Sequence, residues 1–411
     1  MTEKNDRTLL ADIKVLELAT MVMAPSACVV LADFGAEVIK VEPPGKGDLN
    51  RDWHKIPGMP ISDFPYQFQI DNRNKKSIAL DLKSEQGYAA VCKLIAQSDV
   101  LVTNHRLRAL DSLKLRYSDV QKINPQIIYA LATGWGEHGD EKHKPGYDSV
   151  CYWTRSAIET TVFPFEGWLR PFPFGSGDHP SGMTLFAAIM TALYRRTQTG
   201  KGSKVSSSLL ANGAWSNSVL LQAQLSGAQF REVRHRDQGF NFTSLHYPTS
   251  DKRLLKLSIV NFAKDWAPLC AALGRSDIVT DPRFSTAEAR TENMPTLIAE
   301  LTNAFALREL AHWLQQLEQA DVPHAAVPTF EEAANDRQKA ANNIVIPMQH
   351  PKLGASRTVN SPFEIEGADK VQPGPAPELG QHSVQILEAV GYSNTDIDHM
   401  LDAGVVEQFR D

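Results

Sequence analysis

A strand, a helix and a second strand packed into one short stretch constrain the fold of this chain more than any other feature. Ile13–Leu18 (IKVLEL) reads as a strand, Ala24–Phe34 (APSACVVLADF) as a helix stopped by Gly35, and Glu37–Val41 (EVIKV) as the next strand. That spacing suits a βαβ crossover, and a crossover implies a parallel sheet. The alternation returns with SIALDL (77–82), a helix near 85–97, DVLV (99–102), a helix near 107–118 and QIIYALA (126–132). The N-terminal part therefore reads as a doubly wound α/β fold.

The turn after the first strand, ATMVMAPSA, contains no glycine. A pyrophosphate cannot approach such a turn as it does in a G-x-G-x-x-G fingerprint, which argues against a dinucleotide-dependent dehydrogenase. Without those glycines Glu42 reads as a surface residue. Two long irregular stretches follow strands, Pro43–Arg73 and TGWGEHGDEKHKPGYDS (133–149). Loops of that length are usually functional or cover another subunit, and the second follows a strand end, where open α/β sheets bind ligands. His138 and His143 on that loop read as solvated side chains rather than metal ligands.

The segment Arg170–Leu210 carries the most chemistry. Pro171, Pro173, Gly175, Ser176 and Gly177 cannot hold a helix and predict a tight loop. That loop delivers Asp178 to the start of a helix whose Phe186, Ile189, Met190 and Leu193 mark one buried face and which Gly200 stops. A carboxylate at a helix N-terminus is expected to stay ionised at neutral pH, and an ionised Asp can act as a nucleophile. The competing reading is that Asp178 only caps the helix.

With 411 residues, 42% hydrophobic and 22% charged, the chain has the length of two ordinary globular domains. A net charge of −6 argues against a general nucleic-acid binder. Four scattered cysteines without a CxxC pair suit a reduced compartment and make a structural zinc unlikely; no metal is expected. A polar start and the lack of an apolar run of membrane length give a cytoplasmic, soluble expectation. The domain reading is 1–211 for the N-terminal part of a large domain, 212–246 for an Arg-rich linker, 247–324 for a smaller α+β domain with helices near 263–273, 294–306 and 307–319, and 325–411 for the return linker and the C-terminal part of the large domain. That last part holds a helix at 328–341, two short strands and two closing helices at 381–391 and 394–402.

GAEVIKVEPPGKGD (35–48), KKSIALDLKS (75–84), TGWG (133–136), PGYD (145–148), GDHPSGM (177–183) and RTQTGKGSKVSSSLL (196–210) stand in an order and spacing that resembles the class III (CaiB/BaiF-type) CoA-transferases, the family of formyl-CoA transferase and carnitine CoA-transferase. The resemblance implies a large Rossmann-like domain built from both chain ends, a small inserted domain, and a homodimer whose subunits interlock. It makes Asp178 the catalytic nucleophile, forming a mixed anhydride and then an aspartyl-CoA thioester. It also places CoA, as substrate rather than as a resident cofactor, against Leu80, Lys83, Asn104, Arg106 and Tyr147. Arg106 stands near the family's phosphate-binding lysine, whereas Ser112 and Leu113 stand near its arginine; Arg108 and Lys114 are the alternatives. The four-glycine loop of formyl-CoA transferase is missing, with Gly239 its only remnant.

An Asp nucleophile can exchange acyl groups without metal or prosthetic group. Backbone N–H groups at the helix start are candidate oxyanion donors, and Gly182 and the TGWG glycines would let substrate approach the backbone. The expected function is CoA transfer from an acyl-CoA, with succinyl-CoA as a candidate donor, to a small organic acid. A dicarboxylate or sulfinate-bearing acid is suggested by Arg51, Arg73, Arg155, His179 and Arg231. The alternatives are an α-methylacyl-CoA racemase, whose second base is missing where the chain reads Gly146-Tyr147-Asp148 and for which His179 is the candidate substitute, and a non-catalytic acyl-CoA-binding protein.

Overall fold

The computed structural model describes residues 8–162, 173–230 and 241–410. The described residues separate into two compact units, one of residues 8–162, 173–226 and 338–410 and the other of 227–230 and 241–337.

The first unit is a mixed α/β structure around a seven-stranded sheet. Its parallel strands are β1 (Lys14–Leu18), β2 (Glu37–Glu42), β3 (Lys76–Leu80), β4 (Val100–Thr103), β5 (Ile128–Thr133) and β6 (Ser203–Ser208). They run in the order β3-β2-β1-β4-β5-β6, and a C-terminal strand, Val406–Glu407, pairs antiparallel with β3 at the outer edge. β4 (VLVT) is buried along its whole length, because helices cover both faces of a parallel sheet and leave no reason for polar alternation. β6 (SKVSSS) was not legible as a strand: it is a polar, half-exposed edge strand held by its pairing from Ile128↔Ser203 to Thr133↔Ser208.

The helices of this unit's first part are α1 (Met23–Asp33), α2 (Tyr66–Asn72), α3 (Glu85–Gln97), α4 (Leu107–Ser112), α5 (Tyr117–Ile123), α6 (Glu159–Val162), α7 (Asp178–Thr199), α8 (Leu209–Ser216) and α9 (Ser218–Leu225). Lys114, at φ 54°, breaks the helix expected over 107–118 into α4 and α5. α8 and α9 replace irregular chain in the first part of the expected linker. All eleven residues of α1 are buried. α7 packs on it so closely that a Cβ on Gly182 would lie 2.0 Å from Ser26 Oγ and 2.6 Å from the Met23 carbonyl. Gly182 therefore serves helix packing, not the approach of substrate. Gly134 likewise packs on Gly146, where a Cβ would meet the Cα at 2.9 Å.

The unit closes with a hairpin (Val345–His350 and Gly354–Val359) and two helices (Ser383–Ala389 and Asn394–Asp402). Ser383 Oγ ties this end to the sheet, accepting from Ala79 N at 3.1 Å and donating to Glu407 O at 2.6 Å.

The second unit has a three-stranded antiparallel sheet of His246–Pro248, Leu254–Leu257 and His324–Ala326. Helices Phe262–Ala272, Met294–Phe305 and Leu310–Gln319 share its core with Tyr247, Trp266, Phe284 and Trp313. Tyr247 Oη donates to Phe242 O at 2.6 Å and Trp313 Nε1 to Phe305 O at 2.7 Å, whereas the buried Trp266 Nε1 has no hydrogen-bond partner among the described residues. The single helix expected over 328–341 is two short ones, Phe330–Ala334 and Arg337–Ala341.

Candidate active site

β1 feeds α1, β2 and β3 on one side of the sheet, while β4, β5 and β6 continue on the other. The crevice outside the carboxyl ends of β1 and β4 is thus the topological switch point, where open α/β sheets take ligands. Asn104, just past β4, spans it: Nδ2 donates to Thr20 O at 2.6 Å and Oδ1 accepts from Thr20 N at 3.0 Å.

Met21, in the same turn, lies at φ 67°, a conformation that costs a side-chain-bearing residue energy. Asp48 holds it there. Its Oδ1 accepts from Thr20 Oγ1 at 2.5 Å, Met21 N at 2.9 Å and Asn50 N at 3.0 Å. Its Oδ2 pairs with fully buried Lys40 at 2.8 Å. This carboxylate clamp makes a sharp turn without the glycine that sequence reasoning looked for. Glu42 belongs to the same network and is buried, not a surface residue: it accepts from Asp48 N, Arg51 and Ser77 Oγ.

α7 is the crossover from β5 to β6, so its N-terminus lies at that same carboxyl edge. Gly175 reaches the switch-point turn, where a Cβ on it would meet Val22 Cγ1 at 3.4 Å, and Phe174 packs tilted against Trp53 with ring centres 4.9 Å apart. Asp178 is the first residue of α7 rather than its cap. The cap position is Gly177, which brings no side chain, and its N–H donates to Asp148 Oδ2 at 3.2 Å. Among the described residues the Asp178 carboxylate accepts no hydrogen bond.

Burial first, and the Asp148 carboxylate second, push Asp178 up to about 7, despite the lowering effect of His179. The expectation that the helix terminus would hold it fully ionised is corrected: the dipole contributes at most about 2 kcal/mol, and here desolvation and a like charge outweigh it. Asp148 is itself raised by burial. The oxyanion expectation also narrows, because Gly177 N and His179 N are already engaged, the latter with Gly175 O at 2.9 Å.

The His179 ring is fixed by two acceptors. Nδ1 lies 3.0 Å from Gly175 O, and Nε2 3.0 Å from Oδ1 of fully buried Asp71 on α2. Burial lowers its basicity, but the hydrogen bond and charge of Asp71 override this and lift it to about 9.

Comparisons with known proteins agree with one another. The sequence model of CoA-transferase family III matches residues 10–383. The chain belongs to CoA-transferase family III. It is 30% identical over 401 residues to the (R)-2-hydroxy-4-methylpentanoate CoA-transferase of Clostridioides difficile, covering 97% of this chain and 99% of that one. It is 30% identical to the succinyl-CoA:glutarate CoA-transferase of Mus musculus, over 97% of this chain and 90% of that one. The crystal structure of a CAIB/BAIF family protein from Brucella suis superposes with a TM-score of 0.81 at 27% identity, covering 93% of this chain and all of the other.

In this family III CoA-transferase the expected CoA positions fall along the carboxyl edge of the sheet. Leu80 ends β3 and is buried, Lys83 follows it in an exposed turn, and Asn104 and exposed Arg106 follow β4. Half-exposed Tyr147 adjoins Asp148 on the loop that packs back on Gly134 at the end of β5. Arg108 and Lys114 are exposed on and after α4.

The arginines expected to meet a second acidic group are occupied. Arg51 is bidentate on Glu42, Arg73 bidentate on Asp33 with contacts of 3.0 and 2.6 Å, and Arg155 pairs with Glu141. Arg231 and Gly239 lie outside the described residues. With both His179 nitrogens engaged, the second base that a racemase needs is not supplied by this residue. Sequence reading missed Asp148 and Asp71 as members of the site. PGYD was a visible signal for the first; the second sits on α2, which only the fold brings to α7.

Proposed function

We propose that the enzyme transfers CoA from an acyl-CoA, with succinyl-CoA the first donor to test, to a small organic acid through covalent catalysis by Asp178. The observation that carries this reading is the Asp178 carboxylate at the start of α7 beside the switch-point crevice, which accepts no hydrogen bond among the described residues. A carboxylate oxygen of Asp178 attacks the thioester carbonyl, the C–S bond breaks, and CoA leaves as thiolate. The thiolate attacks the aspartyl carbonyl of the resulting anhydride and expels the donor acid. The acceptor carboxylate then attacks the aspartyl-CoA thioester, and the thiolate, returning to the acceptor's acyl carbon, frees Asp178. Every step exchanges one acyl bond for another, so no net proton, electron or metal is required. Leu80, Lys83, Asn104, Arg106 and Tyr147 are assigned to the CoA moiety.

The relatives' names span hydroxy-, dicarboxylic and oxalate acceptors, which supports a small organic acid as the class. Because Arg51, Arg73 and Arg155 are occupied, the acceptor panel sets monocarboxylates beside dicarboxylates and sulfinates. The same reading includes an interlocked homodimer, supported by α9, none of whose eight residues is buried although Val219 is 79% and Leu225 81% exposed.

The test is intact-protein mass spectrometry after incubation with succinyl-CoA and hydroxylamine or borohydride trapping. An adduct that maps to Asp178 and disappears in Asp178→Ala supports covalent transfer. Absence of an adduct with any of several acyl-CoAs would sink it, and α-proton exchange would then be measured.

A further inference from the structure

The His179–Asp71 contact is not absorbed by the anhydride mechanism, which needs only Asp178. A carbonyl oxygen can only accept, so the 3.0 Å contact with Gly175 O puts a proton on Nδ1. The other nitrogen faces the carboxylate of Asp71, also an acceptor when ionised, at 3.0 Å. Asp71 is fully buried, its second oxygen has no hydrogen-bond partner, and among the described residues His179 is the one cation that touches it. A buried carboxylate left with no counter-charge is strongly disfavoured, so the contact is best satisfied with an imidazolium on Asp71.

The pair has no net charge, but it is oriented. Its positive end is the residue next to Asp178, and its negative end sits on α2. We propose that His179, locked as an imidazolium by Asp71, is a positioning residue that sets the charge state of Asp178 and fixes the Gly175–Asp178 turn. This rests on the reading of Asp178 as the nucleophile. The lock opposes Asp148, which faces Asp178 from the loop after β5 and disfavours its anion. The influence of His179 on Asp178 exceeds the opposing one of Asp71.

The remaining neighbours do not replace the lock. Cys151, on the turn after Asp148, is pushed up to about 12 by burial and by Asp178 itself, and stays a neutral thiol. Asp148 raises it further, and the two weaker influences, Glu141 and Arg155, pair with each other. Asp33 at the end of α1 and Arg73 after α2 likewise pair with each other.

Two substitutions separate charge from geometry. Asp71→Asn keeps an acceptor-donor partner for a neutral His179 but removes the reason for its charge. His179→Asn removes ring and charge together. The full-length protein is tested with succinyl-CoA from pH 5.5 to 9, reading the initial rate of the trapped Asp178 adduct. In the wild type the rate should rise through a midpoint near 7. In Asp71→Asn that midpoint should move alkaline by about one pH unit, roughly a tenfold loss at pH 6 that is recovered at pH 9. His179→Asn should show the same shift together with a loss at every pH. An Asp71→Asn profile that superimposes on the wild type, or falls equally at all pH values, overturns the proposal. Carbon-13 titration of aspartate-labelled protein, with Asp178 assigned by difference from Asp178→Asn, reads the same midpoint without catalysis. If the wild type forms no adduct, the covalent reading falls, and this titration alone decides whether Asp71→Asn moves the Asp178 midpoint.

Discussion

Asp178 carries a cost that its neighbours do not remove. Its carboxyl, pushed up to about 7 by burial and Asp148, keeps a proton in the folded chain that an unfolded Asp gives up near pH 4. The stability linked to that proton is present below about pH 4 and is lost as pH rises through about 7. Asp178→Asn should therefore raise the melting temperature relative to wild type more at pH 8 than at pH 5, while lowering turnover by about three orders of magnitude or more. Calorimetry at the two pH values checks the first expectation, and equal differences at both would contradict it. Lys83 is exposed and makes no ion pair among the described residues, so its removal disturbs nothing in the fold. Lys83→Ala should raise KM for the acyl-CoA about tenfold with kcat nearly unchanged, the size of one charge-assisted contact of about 1.5 kcal/mol.

At the scale of elements, the site depends on how α1, α7 and the turn before α1 are fixed. Gly182→Ala would drive a methyl into Ser26 Oγ and the Met23 carbonyl, and the backbone atom cannot swing away. A loss of about 1–3 kcal/mol is expected from such overpacking, seen as a lower denaturant midpoint with unchanged slope. The turn after β1 was legible as an absence of glycine but not as a structure. Its positive-φ Met21 is held by Asp48, which lies twenty-seven residues further along the chain. Local sequence could not show this, because the energy that offsets the strain is supplied by another loop. β6 was invisible for a related reason: SKVSSS has no apolar run, and its strand character comes from pairing with β5.

For the molecule as a whole, α9 and the end of α8 set the main expectation. Trp215, Val219 and Leu225 are about four-fifths exposed on one short stretch, more apolar surface than a free helix pair ordinarily shows water. The proposed homodimer would cover this stretch, so the wild type should sediment as a dimer and Trp215→Glu with Leu225→Glu should lower its melting temperature; a wild type that sediments as a monomer would contradict the homodimer. Among the described residues no helix is long and apolar enough to cross a membrane.

Sequence alone determined the parallel α/β architecture, because strands buried on both faces and amphipathic helices write their periods directly into the chain. It also singled out Asp178, because a Pro/Gly loop opening a helix is a local signal, and six ordered motifs carried the family. Tertiary structure decided the protonation and surroundings of that residue. Asp148, Asp71 and His179 meet around it from three separate segments, and desolvation, the largest influence on its charge, exists only once those segments are packed together.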